Sequence, residues 1–205
     1  IYQKLFLKKE VIFQDLINYR FGPLLTGLAL DNEFTKELSK RGKKTKIDWS
    51  KNLAGHIEKE LRFEEKDMLW FLKMSNEVFS RYIELYLKYS SLDIDTVSPK
   101  RSYKLENLWI NFMKKGEFNP IHTHGGHISF VIYTSVPEEI KNENHKFKGN
   151  GAGPGSINFI HGETSEYRSE HSFVPKTGDM FLFPAKLRHY VPPFSSDVVR
   201  ESVSG

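Results

Sequence analysis

The period of the apolar residues changes near residue 100, and that change limits the folds open to the chain. Before it, apolar side chains recur every three or four positions; after it, they alternate. Residues from about 10 to 90 therefore read as mostly helical. Asp48 and Ser50 precede a stripe of Leu53, Ile57 and Leu61, which predicts a capped amphipathic helix. Asp67 opens a second stretch in which Leu72, Phe79, Ile83 and Tyr86 keep helical spacing, which predicts a long helix with one buried face. Ser91 to Lys100 has no period and carries Asp93, Asp95, Ser98 and Pro99, so it reads as a connector.

Beyond the connector the strands follow. In Leu105 to Met113, Leu108, Ile110 and Phe112 face one way and Trp109, Asn111 and Met113 the other. Ile128 to Val136 alternates and is rich in β-branched and aromatic residues. Ser156 to His161, Met180 to Phe183 and Val198 to Ser204 read as further short strands. The expected fold is α+β: an antiparallel sandwich or barrel in residues 101–205, with a mainly helical support region in residues 1–100, together one domain over 1–205.

Composition narrows the chemistry. The 205 residues include 16 Phe, 9 Tyr and 3 Trp, enough aromatic bulk for a sizeable core. There is no cysteine, so disulfides, thiolate metal sites and thiol nucleophiles are excluded, and any metal must be held by His, Asp or Glu. The net charge of +4 is concentrated in Lys40, Arg41, Lys43, Lys44 and Lys46. Such a run can contact nucleic acid, but a solvated loop is the expected reading, and no nucleic-acid partner is expected. No stretch reads as a membrane span or a signal peptide. The chain opens on Ile1 rather than Met, which leaves room for an upstream piece.

The chemistry centres on Asn119-Pro120-Ile121-His122-Thr123-His124-Gly125-Gly126-His127. Residues two apart on a strand point to one face, so His122 and His124 can present two imidazoles to one metal. His189, after the Met180 to Phe183 strand and a turn at Pro184, is the candidate third ligand. His127 can be a ligand, a donor behind the ligands, or exposed. His56, His145, His161 and His171 have no local partner and read as structural or surface residues. In Arg200-Glu201-Ser202, Arg200 and Ser202 share one strand face, and Val199 and Val203 the other. A guanidinium in a small cavity is costly unless an anion meets it, and its planar fork matches a carboxylate. The competing reading pairs Arg200 with Glu201 or Asp197 at the surface.

These segments together resemble the iron(II)/2-oxoglutarate dioxygenases, and most the branch found in marine phage and bacterial genomes that is related to the prolyl 4-hydroxylases. Trp109-Ile110-Asn111, the histidine cluster, Ser129 to Tyr133, Gly178 to Pro184, His189 and Arg200 to Ser202 carry the likeness, over Leu108 to Tyr133 and Pro154 to Ser204. The resemblance implies a double-stranded β-helix (a cupin-like jelly roll) in the C-terminal half. It implies iron(II) on His122 and His189, and 2-oxoglutarate on Arg200 with Ser202, with Asn111 and Tyr133 as further contacts. The activity implied is hydroxylation of an unidentified small-molecule or peptidyl substrate by O2, coupled to oxidative decarboxylation of 2-oxoglutarate. A cysteine-free chain of this kind fits a cytoplasm, the host's if it is phage-encoded. One departure stands out: His124 occupies the place where the superfamily has Asp or Glu, so three imidazoles would leave the site one charge more positive. His127 or a water is the alternative second ligand.

Two rivals remain. A cupin-like metal protein without 2-oxoglutarate shares the three histidines but has no need of a buried carboxylate clamp. A non-enzymatic binding protein would not need His122 and His189. Gly149 to Gly155 lacks the Gly-Lys-Ser/Thr ending of a phosphate loop and reads as a flexible hairpin near the cavity mouth. Trp109, Phe130 and Phe181 are candidates to shield the site or simply core. No serine sits in an elbow motif. Oligomeric state is not legible in the sequence.

Overall fold

The structure is a computed structural model that describes residues 17–20, 22–89, 103–162 and 169–205. In chain order its elements are β1 (Ile17–Arg20), β2 (Leu24–Ala29), α1 (Asn32–Lys44), β3 (Ile47–Asp48), a 3-10 turn (Ser50–Asn52), β4 (Glu60–Arg62), α2 (Glu65–Tyr89) and β5 (Trp109–Met113). Then come β6 (Asn119–His122), β7 (Ile128–Ser135), α3 (Glu138–His145), β8 (Ile157–Ile160), β9 (Glu170–Phe173), β10 (Asp179–Pro184), β11 (Arg188–Val191) and β12 (Arg200–Ser204). They form an eight-stranded sheet, β1-β2-β10-β7-β12-β5-β4-β3, and a four-stranded sheet, β6-β11-β8-β9. From β5 onward the chain passes repeatedly between the two.

The alternation read from the sequence decides which layer each residue joins. Ile110, Phe130, Ile132, Met180, Leu182 and Val203 leave one face of the large sheet and pack on α1 and α2. Met113, Val131, Tyr133, Phe181 and Phe183 leave the other and meet Ile157, Phe159 and Val191 of the small sheet. Two cores thus share one sheet, because successive strand residues point to opposite faces.

The helices are held by specific contacts. Asp31 caps α1, its Oδ1 accepting the Phe34 N–H at 2.8 Å. Gly42 lets α1 approach β5 closely, since a Cβ there would lie 2.7 Å from Ile110 Cδ1. On α2, Met68, Phe71, Val78, Phe79 and Tyr82 are buried. Phe71 stacks on Phe130 at 5.2 Å and Phe79 meets the same ring edge-on at 5.1 Å. Tyr82 Oη donates to the Leu24 carbonyl at 3.0 Å, tying α2 to β2.

The first half departs from a purely helical reading. The helix expected after Asp48 and Ser50 does not form; one 3-10 turn gives way to irregular chain, and Leu61 lies in β4. Asp48 Oδ1 accepts the Ser50 N–H and closes a local turn instead of capping a helix. Glu60 to Arg62 pairs in register with β5, so tertiary strand pairing overrides the local period. Leu24–Ala29 likewise becomes β2, between β1 and β10. The long helix does form, with Leu72, Ile83 and Tyr86 half-buried beside its core stripe.

The basic run is also not a loop, for Lys40, Arg41, Lys43 and Lys44 end α1. Their charges favour its C-terminus, and Arg41 pairs with Asp67 at 2.6 Å and Lys43 with Glu201 at 2.7 Å. In the second half β6, β9 and β11 join the expected strands, and β5 starts at Trp109. The connector Ser91 to Lys100 lies outside the described residues. No helix among the described residues is long and apolar enough to cross a membrane.

Phe71→Ala should remove the ring that joins α2 to the large sheet. Urea unfolding followed by circular dichroism should show a loss of about 3–5 kcal/mol with the helical signal of the folded state retained.

Candidate active site

Three imidazoles meet because β11 pairs with β6. His189 lies directly opposite His122 in the antiparallel register, and His124 follows two residues on. The ring centroids are 4.2 Å apart for His122 and His189, 4.8 Å for His124 and His189, and 5.1 Å for His122 and His124. One ligand nitrogen from each falls within 4.8 Å of the others. His122 Nε2 and His124 Nε2 are 3.2 Å apart.

The outward nitrogens decide the tautomers. His122 Nδ1 lies 2.7 Å from the Pro120 carbonyl, and His189 Nδ1 lies 2.9 Å from the Leu187 carbonyl. A carbonyl can only accept, so each Nδ1 carries the proton and each Nε2 keeps a lone pair. Ser129 Oγ donates to the Gly205 carbonyl at 2.7 Å, which leaves its lone pairs for the His124 Nδ1–H at 2.5 Å. All three Nε2 lone pairs are free for one cation, the arrangement expected behind metal-bound imidazoles.

Burial keeps the rings neutral. Desolvation lowers the pKa of His122, and desolvation plus the His122 ring lowers His124 to about 4. His189, the most buried, falls to about 3, with His122 and His124 adding to desolvation. Trp109 stands edge-on to His124 at 5.6 Å and Phe183 against His189 at 4.8 Å, so aromatic carbon covers the cluster. His127 is exposed at the rim of the cavity and lies outside the three-histidine group.

The histidines open onto a cavity of about 630 Å³, within the range of small-molecule sites. Arg200 lines it from β12 and is only 2% exposed. Its Nη1 donates to the Gly155 carbonyl at 2.8 Å, and its Nη2 lies 2.8 Å from Met113 Sδ. Its guanidinium carbon stands 5.3 Å from the Tyr133 ring centre. Nε has no partner among the described residues. Burial lowers the Arg200 pKa, and it raises Tyr133 to about 12. The surface pairing of Arg200 with Glu201 or Asp197 does not occur. Glu201 faces α1 instead, where Ser39 and Lys43 hold its carboxylate.

Ser202 is opposite both Asn111 and Tyr133 in register, so these three share the cavity face. Asn111 Nδ2 donates to Ser202 Oγ at 3.3 Å, while Asn111 Oδ1 is buried without a partner among the described residues. The glycine-rich segment does not form a hairpin at the mouth. It ends at Gly155, with φ +68, whose carbonyl meets Arg200 inside the cavity. Of the aromatic candidates, Trp109 covers the histidines, Phe130 also packs on α2, and Phe181 packs between the sheets.

Sequence reasoning missed Ser129, Met113 Sδ, the Gly155 carbonyl and Glu60. Ser129 was within reach, because it shares a strand face with Val131 and Tyr133. Glu60 was not, because its segment reads as helix.

Two antiparallel sheets, three neutral imidazoles and a buried guanidinium without a counter-ion among the described residues give a mixed helix and sheet protein that could hold a divalent metal beside a small anion. Residues 107–205 match the family model described as "Putative 2OG-Fe(II) oxygenase". That stretch is just under half of the chain, and it is similar to the 2OG-Fe(II) oxygenases, a group named for iron(II) and 2-oxoglutarate. The fold is similar to that of an oxidoreductase of the 2OG-Fe(II) oxygenase family from Burkholderia pseudomallei, at 14% identity and TM-score 0.52 over 85% of this chain and 77% of that one. It is also similar to a Pseudomonas putida prolyl-4-hydroxylase, at 13% identity and TM-score 0.50 over 88% of this chain and 89% of that one. No curated protein matches the chain.

The residues present fit both cofactors: three Nε2 lone pairs suit a divalent cation, and Arg200, with no carboxylate partner among the described residues, suits a carboxylate. The depressed His189 pKa sets a pH dependence in the metal-free protein. The unfolded chain takes up its proton near 6.5, the folded chain only near 3, so acid favours unfolding across that window. The thermal midpoint of wild type minus that of His189→Gln should therefore fall as pH is lowered from 7 to 4. A flat difference profile would show that the ring is not held neutral.

Proposed function

We propose that residues 1–205 form one domain, an iron(II)- and 2-oxoglutarate-dependent oxygenase that hydroxylates a small-molecule or peptidyl substrate. The strand order supports a double-stranded β-helix at its centre, since β5 to β12 pass back and forth between two antiparallel sheets, with only the β8–β9 pair consecutive in one sheet. Strands from both halves share the large sheet, which supports a single domain. His122, His124 and His189 hold iron(II) through Nε2. When bound, iron(II) and 2-oxoglutarate use O2 to convert a C–H bond into C–OH, with 2-oxoglutarate leaving as succinate and CO2.

The chain's own residues bind and orient. The one observation that carries the reading is Arg200, a guanidinium 2% exposed with no carboxylate against it among the described residues. An uncompensated charge at that depth is unfavourable by several kcal/mol, and an entering carboxylate offsets it. Arg200 with Ser202 therefore grips the distal carboxylate of 2-oxoglutarate, while Asn111 and Tyr133 flank it. Trp109 and Phe183 exclude water around the imidazoles, where desolvation strengthens each polar contact. A three-histidine protein without 2-oxoglutarate would have no use for this clamp.

Anaerobic addition of iron(II) and then 2-oxoglutarate should produce a weak visible absorption band. Arg200→Ala should weaken 2-oxoglutarate binding by about 100-fold, the scale of a lost charge-assisted pair, with iron affinity little changed. Equal 2-oxoglutarate affinity in that variant would overturn the role given to Arg200. His189→Ala should lose iron, measured by competition with a chelator. Retention of full affinity would refute the ligand set.

A further inference from the structure

Glu60 is a second buried ionisable group with no function assigned above. It is 2% exposed, lines the cavity, and its Oε2 has no hydrogen-bond partner among the described residues. Its backbone is satisfied: the N–H reaches Ser50 Oγ at 3.3 Å and the carbonyl accepts the Trp49 N–H at 2.8 Å. Only the side chain is left wanting.

Its placement follows from register. Glu60 is opposite Asn111, Asn111 is opposite Ser202, and Ser202 is opposite Tyr133. Opposed residues of an antiparallel pair project to one face, with Cβ atoms about 5 Å apart. Glu60 thus extends the cavity row beyond the carboxylate clamp, next to the unpartnered Asn111 Oδ1. Asn119 of the small sheet reaches the same corner. A Cβ built on Gly55 would collide with Asn119 Oδ1 and lie 3.3 Å from Glu60 Oε1, so Gly55 leaves room where the two converge. Trp49 and Leu53 add apolar surface to the same cavity.

The sign of the missing partner can be read from the charges nearby. Burial drives the Glu60 pKa up to about 8, and the Glu117 and Asp48 carboxylates push it further in that direction. The surrounding cations are engaged: Lys114 with Glu58 at 2.6 Å, Arg62 with Asn107 Oδ1 at 3.3 Å, and Lys59 over the Phe112 ring at 4.5 Å. Glu60 Oε2 and Asn111 Oδ1, two acceptors without a partner among the described residues, lie in the field of two further carboxylates and suit a positively charged donor.

We propose that Glu60, beside Asn111, anchors a substrate bearing an ammonium or guanidinium group on an aliphatic stem. The stem lies along Trp49 and Leu53, and the cation meets the carboxylate. This deepens the oxygenase reading and rests on it for the reaction, though not for the binding.

The test is calorimetric titration under anaerobic conditions of the protein loaded with iron(II) and 2-oxoglutarate, and of the protein with iron(II) alone. The probes are L-arginine and L-lysine, their neutral counterparts L-citrulline and L-norleucine, and blocked tripeptides with a central Arg or Lys. At least one cation, free or in the peptide, should bind about 10-fold or more tighter than its neutral counterpart. The free and peptide arms then tell a metabolite from a protein side chain. Glu60→Gln should abolish that preference while 2-oxoglutarate affinity stays within about twofold.

Neutral probes binding as tightly as cations, or no probe binding at all, overturns the proposal. So does a preference that survives in Glu60→Gln. The wild-type comparison decides the matter even if the variant fails to fold. If the cation preference holds but 2-oxoglutarate does not bind, the subsite stands and the oxygenase reading falls. If 2-oxoglutarate binds and the preference is missing, the reverse is true.

Discussion

The pairing of β11 with β6 is the constraint on which the site depends. It sets His189 opposite His122 and brings residues far apart in the chain within reach of one cation. Antiparallel register makes this demand strict, because a slip of one residue would turn His189 to the opposite face. The small sheet that carries the pair is held by the aromatic core between the sheets, where Phe159 lies against both Phe183 and His189. Packing and ligand geometry are therefore one problem. The rings are oriented by backbone carbonyls and a seryl relay, and kept neutral by the same burial that stabilises the core.

The large sheet has two separate duties on its two faces. Towards the helices it is mostly apolar near its centre, with Ile110, Ile132 and Val203 fully buried. Towards the small sheet the same strands present Asn111, Tyr133, Arg200 and Ser202. This polarity is unusual for an interior and is unfavourable unless ligands complete it. Three of the buried atoms without a hydrogen-bond partner among the described residues, Arg200 Nε, Asn111 Oδ1 and Glu60 Oε2, belong to residues that line the cavity. Their signs separate along the row. The cation lies on β12, suited to an acidic co-substrate, and the carboxylate on β4, suited to a basic group.

The contribution of the N-terminal half is larger than support. Helices α1 and α2 cover the outer face of the large sheet, as an apolar period of three to four residues would suggest. Strand β4 additionally extends the sheet and supplies Glu60 to the cavity. A segment outside the 107–205 match thus reaches the inner face.

The sequence by itself determined most of the strands of the second half, the presence of one long helix before them, and the shared strand faces of His122 with His124 and of Arg200 with Ser202. These are local properties, written in spacing and side-chain chemistry. Only the tertiary structure decided that Leu24 to Ala29 and Glu60 to Arg62 are strands, that Ser129 orients His124, and that Gly155 and Met113 cradle Arg200. Each of these depends on a partner far away in the chain. Short segments take their conformation from the sheet edge or packed ring that receives them, and no local period records which edge or ring that will be.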